Sequence, residues 1–531
     1  MLSQTIIRTQ SRSLRNGGAR MFGSAPAPNQ IRVPEGNIYA DPASNFASRV
    51  KVGHDTYSRP TPSFSPQDSS SATTKGEVNP AHWAPPGSWP EEAVRSTTKA
   101  NTLLTWAPSK AKNGMPIITR GEGVKLYDTN EKEYIDWTSQ AVCANLGHTI
   151  PSDIKEAINI QLDEIPFVYG GMGLVEIRAR LSALIGEIMP AGISGVVFPS
   201  SGSEANECAI AMARRFTGRT KIISAYRSYH GGTAASSAAT GDFRRHFLPA
   251  APDFVKMFQP NMLFSKMGGL TEPEKVENAL TLLEEQIIFE GGENVASIIV
   301  ESIPGAAGVL TYPDGYLQGV RALCDRYGIV MHCDEIMVGF GRTGRMWGFQ
   351  HYDGVVPDIV TSAKGLSAGF VPVSVVACND EMKEFFEEAP LGWGSTYQAH
   401  PVALAASYAT IKHMLEHDIV GMCAKKAPQF ASHMERLTQK HPCLKQFRSV
   451  GLFGAFDVVA PDGQQPQMFH DARGEAFVKY YKAFNDEGLY GLLRPPLLHV
   501  APPLVITEEE MAEGFERHDR ALNVLDKELG F

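Results

Sequence analysis

The spacing of hydrophobic positions changes along the chain, and from about residue 170 onward short apolar runs alternate with longer stretches of helical period. The apolar runs predict buried strands at Gly195–Pro199, Lys221–Ala225, Ala296–Ser302, Gly328–Cys333, Asp358–Ser362 and Val371–Cys378. The stretches between them predict helices such as Glu204–Phe216, Glu274–Phe289 and Gly315–Tyr327. Continuous rather than alternating hydrophobicity is typical of strands that helices cover on both faces. We therefore predict an α/β fold with a mostly parallel sheet in a large domain, residues 166–400.

After His400 the pattern shifts to longer helical stretches and alternating runs. It predicts helices at about Pro401–Asp418 and Ala427–Lys440, strands near Arg448–Val458 and Leu497–Val500, and a last helix from Glu508 to about Lys527. Thr507 is the expected N-cap of that last helix. We expect a smaller α+β C-terminal domain, residues 401–531, and a separate N-terminal segment, residues 91–165.

The first ninety residues differ from this body in composition. The first acidic residue is Glu35, and five arginines precede it: Arg8, Arg12, Arg15, Arg20 and Arg32. An acid-free leader of this kind is typical of an organellar transit peptide, so we expect residues 1–22 to direct the protein to the mitochondrial matrix. A disordered basic tail is the alternative. Residues 23–90 contain a Pro/Ser-rich stretch that predicts an arm or linker without its own core.

The overall composition argues against several functional classes. With 49 Lys plus Arg against 58 Asp plus Glu, the net charge is −9, whereas a nucleic-acid-binding protein would present a basic face. No uninterrupted apolar run reaches the roughly 18 to 20 residues of a membrane span. The seven cysteines stand singly without a CxxC pair, so we expect neither a disulfide framework nor a metal site. A large enzyme is the interpretation that remains.

Polar residues at the ends of the predicted strands are the candidates for chemistry, because ligands of such sheets bind at the carboxyl ends of the strands. After the first strand, Ser200–Asn206 forms a small-residue turn that opens a helix. Free amides and the hydroxyls of Ser201 and Ser203 at that helix N-terminus could bind phosphate, and Gly202 would let the backbone approach it. An ordinary capped turn is the alternative. The GxxxxGK[ST] and GxGxxG fingerprints of nucleotide sites are absent from this turn.

Two further strand ends carry charged groups. Asp334 and Glu335 end one buried strand, where a carboxylate needs a positive partner such as a protonated heteroaromatic nitrogen. A salt bridge or a cap is the alternative, and for Glu335 it is the preferred interpretation. Lys364 ends another strand among Ala, Ser and Gly residues. Burial would lower its pKa and suit its amine to form a Schiff base with a carbonyl, although a surface lysine is the alternative.

Taken together, these motifs in this order resemble the class III (ω-amino acid) aminotransferases, which are pyridoxal-phosphate enzymes of fold type I. The resemblance spans about Trp106–Phe531. It is carried by Asn145-Leu146-Gly147-His148, Ser201–Asn206, Ser228-Tyr229-His230-Gly231, Asp334–Gly344, Pro357-Asp358-Ile359, Ala363-Lys364-Gly365, Gly394-Ser395-Thr396-Tyr397 and Pro502-Pro503-Leu504. The joint occurrence of these motifs is far more specific than any one of them.

The resemblance implies a catalytic pair. Lys364 would hold pyridoxal 5′-phosphate covalently and, once the substrate amine displaces it, carry the proton as general base and acid. Asp334 would pair with the pyridine nitrogen of the cofactor and keep it protonated. Tyr229 would stack on the cofactor ring, with His230 nearby.

The resemblance also implies that the active site is shared between two subunits. Ser201, Gly202 and Ser203 would bind the cofactor phosphate from one subunit, and Thr396 would bind it from the neighbour. A homodimer is therefore expected.

Four further positions are weaker candidates. Glu301 would help position substrate or cofactor, although Ser302 replaces the proline that the family often has after it and a structural carboxylate is the alternative. Met337 stands where several subfamilies carry Gln, which leaves its contact with the cofactor open. Trp106 resembles a substrate-pocket aromatic, with a packing role as the alternative. Arg494 resembles an arginine that binds the substrate carboxylate, and a solvated loop arginine is its alternative.

The implied reaction moves an amino group from an ω-amino acid or related amine to a 2-oxo acid such as pyruvate or 2-oxoglutarate. The nearest resemblance is to taurine–pyruvate and β-alanine–pyruvate-type enzymes. Decarboxylation, racemisation or aminomutase chemistry on the same cofactor is one alternative. A non-catalytic mitochondrial scaffold that kept the fold is another, but it would be expected to lose Lys364 or Asp334. An NAD-linked oxidoreductase is a third, and the missing GxGxxG motif counts against it.

Overall fold

The structure of the protein is a computed structural model that describes residue 85 and residues 87–107, 109–248, 251–260, 271–465 and 474–531. The predicted transit peptide, residues 1–22, and nearly all of the predicted arm, residues 23–90, lie outside the described residues. All of the described residues belong to one compact unit, and the predicted boundaries at residues 165 and 400 stay predictions.

A seven-stranded sheet forms the centre of the described chain, and its strand order is β4-β10-β9-β8-β7-β5-β6. Its strands are β4 (Ile193–Val197), β5 (Lys221–Ala225), β6 (Phe254–Met257), β7 (Val295–Glu301), β8 (Val330–Asp334), β9 (Ile359–Ser362) and β10 (Val375–Asn379). β10 runs antiparallel to both neighbours, while the other pairs are parallel. The predicted α/β class with a mostly parallel sheet is therefore confirmed.

Helices pack on both faces of this sheet. They are α4 (Gly202–Thr217), α5 (Ala234–Ala239), α6 (Glu272–Glu290), α7 (Tyr316–Tyr327) and α8 (Asp380–Glu388). Successive strand residues face opposite sides: Val330 and Ile359 pack with α4, whereas Met331 and Val360 pack in the core cluster that includes α6 and α7. Because both sides of each strand are buried, the hydrophobic runs in the sequence are continuous.

The N- and C-terminal parts of the chain share a second sheet. Its order is β1 (Ile118–Glu122), β2 (Lys125–Asp128), β3 (Glu133–Asp136) and β13 (Leu489–Tyr490). β13 is only two residues long and pairs in parallel with β3. This pairing places the residues that follow β3 beside those that follow β13, from opposite ends of the chain.

The remaining C-terminal strands form a three-stranded antiparallel sheet of β11 (Leu444–Val450), β12 (Phe453–Val458) and β14 (Leu497–Val500). The segment near Arg448–Val458 holds a hairpin, with Gly451 in the turn at φ +60°. A Cβ there would come 2.4 Å from the backbone of Thr343, so the turn requires glycine.

Helices complete the two ends of the described chain. They are α1 (Glu91–Asn101), α2 (Ser152–Glu164), α3 (Glu176–Ile188), α9 (Pro401–Glu416), α10 (Ile419–Lys440), α11 (Gly474–Asp486) and α12 (Glu508–Leu529). The predicted cap is confirmed, since Thr507 Oγ1 accepts from Glu510 N at 3.1 Å. No helix among the described residues combines the length and apolar character that crossing a bilayer requires.

One helix boundary was predicted wrongly. α10 begins at Ile419 rather than at Ala427, because Asp418 caps it by accepting from Gly421 N, and the helix continues through Pro428. Proline removes one helical hydrogen bond, but the buried side chains of Cys423 and Phe430 on either side of Pro428 hold the helix against the core.

Candidate active site

Lys364 follows β9 at the carboxyl edge of the central sheet, as its position in the sequence predicts. Its backbone adopts φ +41°, a left-handed conformation that a non-glycine residue rarely takes. Burial lowers the pKa of its amine to about 8, against the opposing charge of Asp334. The amine forms no hydrogen bond within the described part of the chain. An unpaired, partly neutral amine therefore stands at this edge.

Asp334 ends the neighbouring strand β8. It lies in register with Glu301 at the end of β7 and with Thr361 on β9. Its side chain is buried, with 3% of the residue exposed. The parallel strands therefore bring together two carboxylates that lie 33 residues apart in the sequence.

Donors surround the Asp334 carboxylate. Oδ2 accepts from His230 Nδ1 and from Asn206 Nδ2, both at 2.8 Å, and Oδ1 accepts from Ile336 N at 3.0 Å. Thr361 Oγ1 donates to Asn206 Oδ1 at 2.8 Å, which fixes the orientation of the amide. Burial alone would raise the pKa of Asp334, but the hydrogen bond and charge of His230 and the other donors hold it below its usual value. Asp334 is therefore an anion.

Asn206 was not among the predicted site residues. It lies in the first turns of α4 and is fully buried among Ala205, Cys208 and Ala209. A polar side chain on an otherwise apolar helix face was the available signal, because a buried amide requires partners.

The N-terminus of α4 faces the same edge of the sheet. Ser201 is its N-cap and accepts from Glu204 N, while Ser203 Oγ accepts from Gly232 N at 3.1 Å. Within the described residues, the amides of Gly202 and Ser203 donate to no acceptor. Two free amides at a helix N-terminus form a site that suits a phosphate group.

Glu301 holds two loops in place through backbone amides. Its Oε1 accepts from Tyr229 N at 2.8 Å and its Oε2 accepts from Gly305 N at 2.9 Å. Burial raises the pKa of Glu301 to about 6, with the charge of His230 opposing the shift. The Glu301 carboxylate thus positions Tyr229, which the resemblance predicts to stack on the cofactor ring.

Ser302, which replaces the proline that the family often has after Glu301, has a structural role. Its hydroxyl donates to Glu335, which also accepts from Gly348 N at 2.7 Å and Phe349 N at 2.9 Å. Burial raises the pKa of Glu335 to about 7. Glu335 therefore caps the short 3-10 helix Gly348–His351, in agreement with the preferred structural interpretation of this residue.

Two aromatic rings and an arginine line the mouth of the site. The Arg244 guanidinium lies 3.4 Å from the centroid of the Tyr229 ring and 5.9 Å from that of the Trp106 ring. The two rings meet edge to face at 6.1 Å, and Trp106 is 60% exposed. Arg244 Nε donates to Asp242 Oδ2 at 2.9 Å. No local sequence pattern pointed to Arg244, which only the tertiary fold brings to the site.

Arg494 lies close to this mouth and is mostly buried. Burial lowers its pKa to about 10, and the positive charge of Arg244 adds to the shift, against Asp242 and Tyr229. Its guanidinium forms no hydrogen bond with any residue that the structure describes. Arg494 is thus a cation close to other charged groups that still has free donors.

The last two predicted site residues, Met337 and Thr396, make none of the contacts described above. Met337 packs against a small apolar cluster that includes Ile303 and Phe453. Its sulfur would be 2.9 Å from a Cβ at Gly305. Thr396 is exposed and forms no hydrogen bond with another predicted site residue among those described. The roles predicted for both residues stay predictions.

These groups fit pyridoxal 5′-phosphate. Lys364 offers an amine for its aldehyde, Asp334 an anion for its pyridine nitrogen, and the amides of Gly202 and Ser203 donors for its phosphate. His230 Nε2 is buried without a partner among the described residues, which leaves one more donor or acceptor at this edge. Among the described residues no cluster of His, Cys, Asp and Glu has a metal-binding arrangement.

Comparison with known proteins identifies the family. Residues 107–522 match the family model described as aminotransferase class-III. The chain is 31% identical to diaminobutyrate–2-oxoglutarate transaminase of Halomonas elongata, over 77% of this chain and 90% of that protein. It is also 31% identical to taurine–pyruvate aminotransferase of Rhodobacter capsulatus, over 77% and 92%.

A solved structure gives the same result. The taurine:2-oxoglutarate aminotransferase from Bifidobacterium kashiwanohense, in complex with PLP and glutamate, is 35% identical and has a TM-score of 0.76. The match covers 82% of this chain and 98% of that one. The chain therefore belongs to the class III aminotransferases, fold type I enzymes that use pyridoxal 5′-phosphate to transfer an amino group from an amine to a 2-oxo acid.

Proposed function

We propose that this aminotransferase acts on acidic substrates, and that its donor carries the acid group at a distance from the reacting amine. The donor would be an ω-amino acid such as β-alanine or taurine, and the acceptor would be pyruvate or 2-oxoglutarate. The observation that carries this proposal is Arg494, a mostly buried guanidinium without a hydrogen-bond partner among the described residues.

A desolvated cation with free donors favours an anionic ligand, because burial removes the water that would otherwise satisfy it. The planar guanidinium matches the two oxygens of a carboxylate or sulfonate. Arg244 adds a second positive charge at the same mouth, and Trp106 and Tyr229 supply apolar walls for the short carbon chain between the two ends of the substrate. Two of the compared proteins are named for taurine, whose sulfonate is an acid group of this kind.

The chain's own residues would divide the chemistry as follows. Bound pyridoxal 5′-phosphate supplies an aldehyde that combines with amines and a ring that withdraws electrons from the substrate carbon. The Lys364 amine, with its pKa of about 8, is partly neutral near physiological pH. It would condense with the aldehyde with loss of water and, once a substrate amine has displaced it, would accept and return the proton of the substrate carbon. Asp334, held ionised by its donors, would keep a proton on the ring nitrogen.

Other residues would orient the reactants. The amides of Gly202 and Ser203, with the Ser201 cap behind them, would bind the phosphate. Glu301 fixes the backbone of Tyr229, whose ring would lie against the cofactor. Each of these contacts positions a group without moving a proton.

The acid-binding role of Arg494 can be tested with Arg494→Ala and the charge-preserving control Arg494→Lys. We expect Arg494→Ala to raise the KM for β-alanine or taurine about 10- to 100-fold, the effect of losing hydrogen bonds to a charged group. The kcat/KM for benzylamine, which has no acid group, should change little. Arg494→Lys should recover part of the affinity for the acid. An equal loss for benzylamine and β-alanine would contradict the proposal.

The proposal includes a homodimer in which Thr396 serves the neighbouring active site. Thr396 is exposed, and the ring of its neighbour Tyr397 lies 5.9 Å from the ring of Phe167 between centroids. Close to Phe167 in the sequence, Met172 and Leu174 are 87% and 94% exposed. Exposed apolar side chains of this kind favour an interaction surface over a solvated loop. A second copy of the chain would cover it.

We also propose that the enzyme acts in the mitochondrial matrix. The support is the arginine-rich, acid-free leader in residues 1–22. A fusion of residues 1–40 to a fluorescent protein should enter mitochondria and lose its leader. The same fusion with Arg8, Arg12 and Arg15 changed to Glu should stay outside. Equal distribution of the two fusions would exclude a targeting role.

A further inference from the structure

The turn between β3 and the rest of the N-terminal segment has an unusual backbone. Ser139, Gln140 and Val142 all have positive φ, at +47°, +60° and +61°. Gln140 combines its φ with a ψ of −110°, a conformation that belongs almost entirely to glycine. Strain of this kind persists only where neighbouring groups hold it, and it is concentrated at functional sites.

Hydrogen bonds that Asp136 accepts, and others that Ser139 forms, hold this turn. The amide of Gln140 lies 2.9 and 2.8 Å from the two Asp136 carboxylate oxygens, and Gln140 Nε2 donates to Oδ2 at 3.0 Å. Ser139 Oγ donates to Ala501 O at 2.6 Å and accepts from Arg342 Nη2 at 3.0 Å. The turn is therefore fixed to the fold from both of its sides.

Thr138 connects this fixed turn to the segment that carries Arg494. Its side chain is buried, and its hydroxyl donates to Gln140 O at 2.7 Å and accepts from Leu492 N at 2.9 Å. The single hydroxyl proton is used on the turn, and the lone pair receives the amide of the other segment. The Thr138 methyl group also lies 3.1 Å from the position of a Cβ at Gly491, so the contact is close.

The bond to Leu492 is the hydrogen bond that joins residues 491–494 to the N-terminal segment, and Leu493 beside it packs against the core. β13 ends at Tyr490, and Pro495 and Pro496 have no amide to donate. Within the described part of the chain, no other hydrogen bond joins residues 491–494 to a residue outside 491–497. The Thr138 hydroxyl therefore fixes the backbone on the N-terminal side of Arg494, while the hydrogen bond from Val458 N to Pro496 O at 3.0 Å fixes it on the C-terminal side.

We propose that Thr138 is a positioning residue that aims Arg494 at the acid group of the substrate. The strained turn fixes the hydroxyl, the hydroxyl fixes Leu492, and Leu492 sets the location of Arg494 two residues later. This inference rests on the acid-binding role proposed for Arg494. It makes Thr138, which need not touch the substrate, a determinant of affinity for acids.

The test compares Thr138→Val, which keeps the shape and removes the hydroxyl, with Thr138→Ser, which keeps the hydroxyl. Holoenzyme would be titrated with propionate and glutarate, neither of which carries an amine, and binding followed by the visible absorbance of the bound cofactor. We expect Thr138→Val to weaken binding of the better ligand about fivefold, the effect of one lost hydrogen bond. Thr138→Ser should bind within about twofold of the wild type. Kinetically, KM for β-alanine should rise while kcat changes little.

A double-mutant cycle separates this inference from the proposed function. In an Arg494→Ala background, Thr138→Val should cause no further loss of carboxylate binding, because its effect passes through Arg494. A full fivefold loss in that background would overturn the positioning role. Unchanged carboxylate binding in Arg494→Ala itself would instead remove the acid-binding function.

A purely structural role gives a different result. If Thr138→Val and a second variant, Thr138→Ala, both lost bound cofactor or cooperative unfolding, the hydroxyl would support the whole site, and the specific link to Arg494 would be wrong. Cofactor content per subunit should instead stay at the wild-type level in both variants.

Discussion

Lys364 combines a low pKa with free hydrogen-bonding capacity, and this combination leads to a test. Replacing it in Lys364→Ala should leave the fold intact and abolish covalent capture of the cofactor, and turnover should fall by at least about 10²-fold. In the wild type, capture by apoprotein should quicken as pH rises through about 8, because the neutral amine is the reactive form and its fraction grows above the pKa. Stopped-flow absorbance of added cofactor measures this rate.

Lys256 provides the internal control for that experiment. Burial lowers its pKa to about 7, yet its ammonium donates to Ser224 Oγ at 2.7 Å and to the carbonyls of Ala238 and Ala239. Three acceptors hold its nitrogen in place, so it is not free to reach an aldehyde even where it is neutral. Borohydride reduction followed by peptide mapping should label Lys364 and leave Lys256 unmodified. A label on Lys256, or a pH-independent capture rate, would contradict the assignment.

Site residues that follow recognisable strands could be predicted from the sequence. Site residues that only the tertiary fold brings together could not. Lys364 and Asp334 each follow a recognisable buried strand, and parallel strands bring their carboxyl ends to one edge. Arg244 belongs to a short 3-10 helix, Phe243–Phe247, whose path over the Tyr229 ring has no local signature. Thr138 depends on β13, which is two residues long.

Elements were predictable where burial dominates and uncertain where a few polar contacts decide. α4, α6 and α7 begin and end within two residues of their predicted limits, because apolar periodicity and caps agree. The strand predicted at Val371–Cys378 begins only at Val375, since Pro372 has no amide for the ladder. β6 was missed: its four residues include Lys256, whose buried ammonium interrupts the apolar run.

The strained turn shows why some structure at the element level cannot be read from the local sequence. Gln140 has no intrinsic preference for its φ and ψ, and a glycine would be the expected residue there. Its conformation depends on Asp136, four residues earlier, and on Ala501 and Arg342 through Ser139. Contacts with residues about 200 or more positions away in the sequence thus help to fix a four-residue turn. The hydrophobic periodicity of the sequence does not reveal such contacts.

At the scale of the whole molecule, exposed apolar residues argue for a partner of the same kind. The segment 165–174 exposes Phe167, Met172 and Leu174, and the Phe167 ring contacts the ring of Tyr397, the residue that follows Thr396. Closed twofold symmetry would bring Thr396 of each subunit toward its partner while burying these side chains once on each side. If each active site is built from residues of two subunits, two differently substituted chains should complement each other in a mixed dimer.

Two inactive or impaired variants should restore one working site when combined in a dimer. Lys364→Ala removes the amine, and Thr396→Ala is expected to weaken cofactor binding without touching Lys364. In a mixed dimer with one subunit of each variant, one site has an intact Lys364 from its own chain and an intact Thr396 from the other. Differently tagged subunits, co-expressed and purified through both tags, should therefore regain activity and cofactor affinity above either parent dimer.

The controls make the outcome decisive. Thr396→Ser should bind cofactor like the wild type, since it keeps the hydroxyl that the phosphate requires. A subunit that carries both Lys364→Ala and Thr396→Ala would also be paired with a wild-type subunit. The active site of the wild-type subunit would then lack the Thr396 that it needs from the other chain, so no complementation is expected. If Thr396 served its own subunit instead, the mixed dimer with the doubly substituted chain would be active, and the mixed dimer of the two single variants would stay impaired. The two arrangements therefore predict opposite results for the two mixed dimers, each compared with the Lys364→Ala and Thr396→Ala parent dimers.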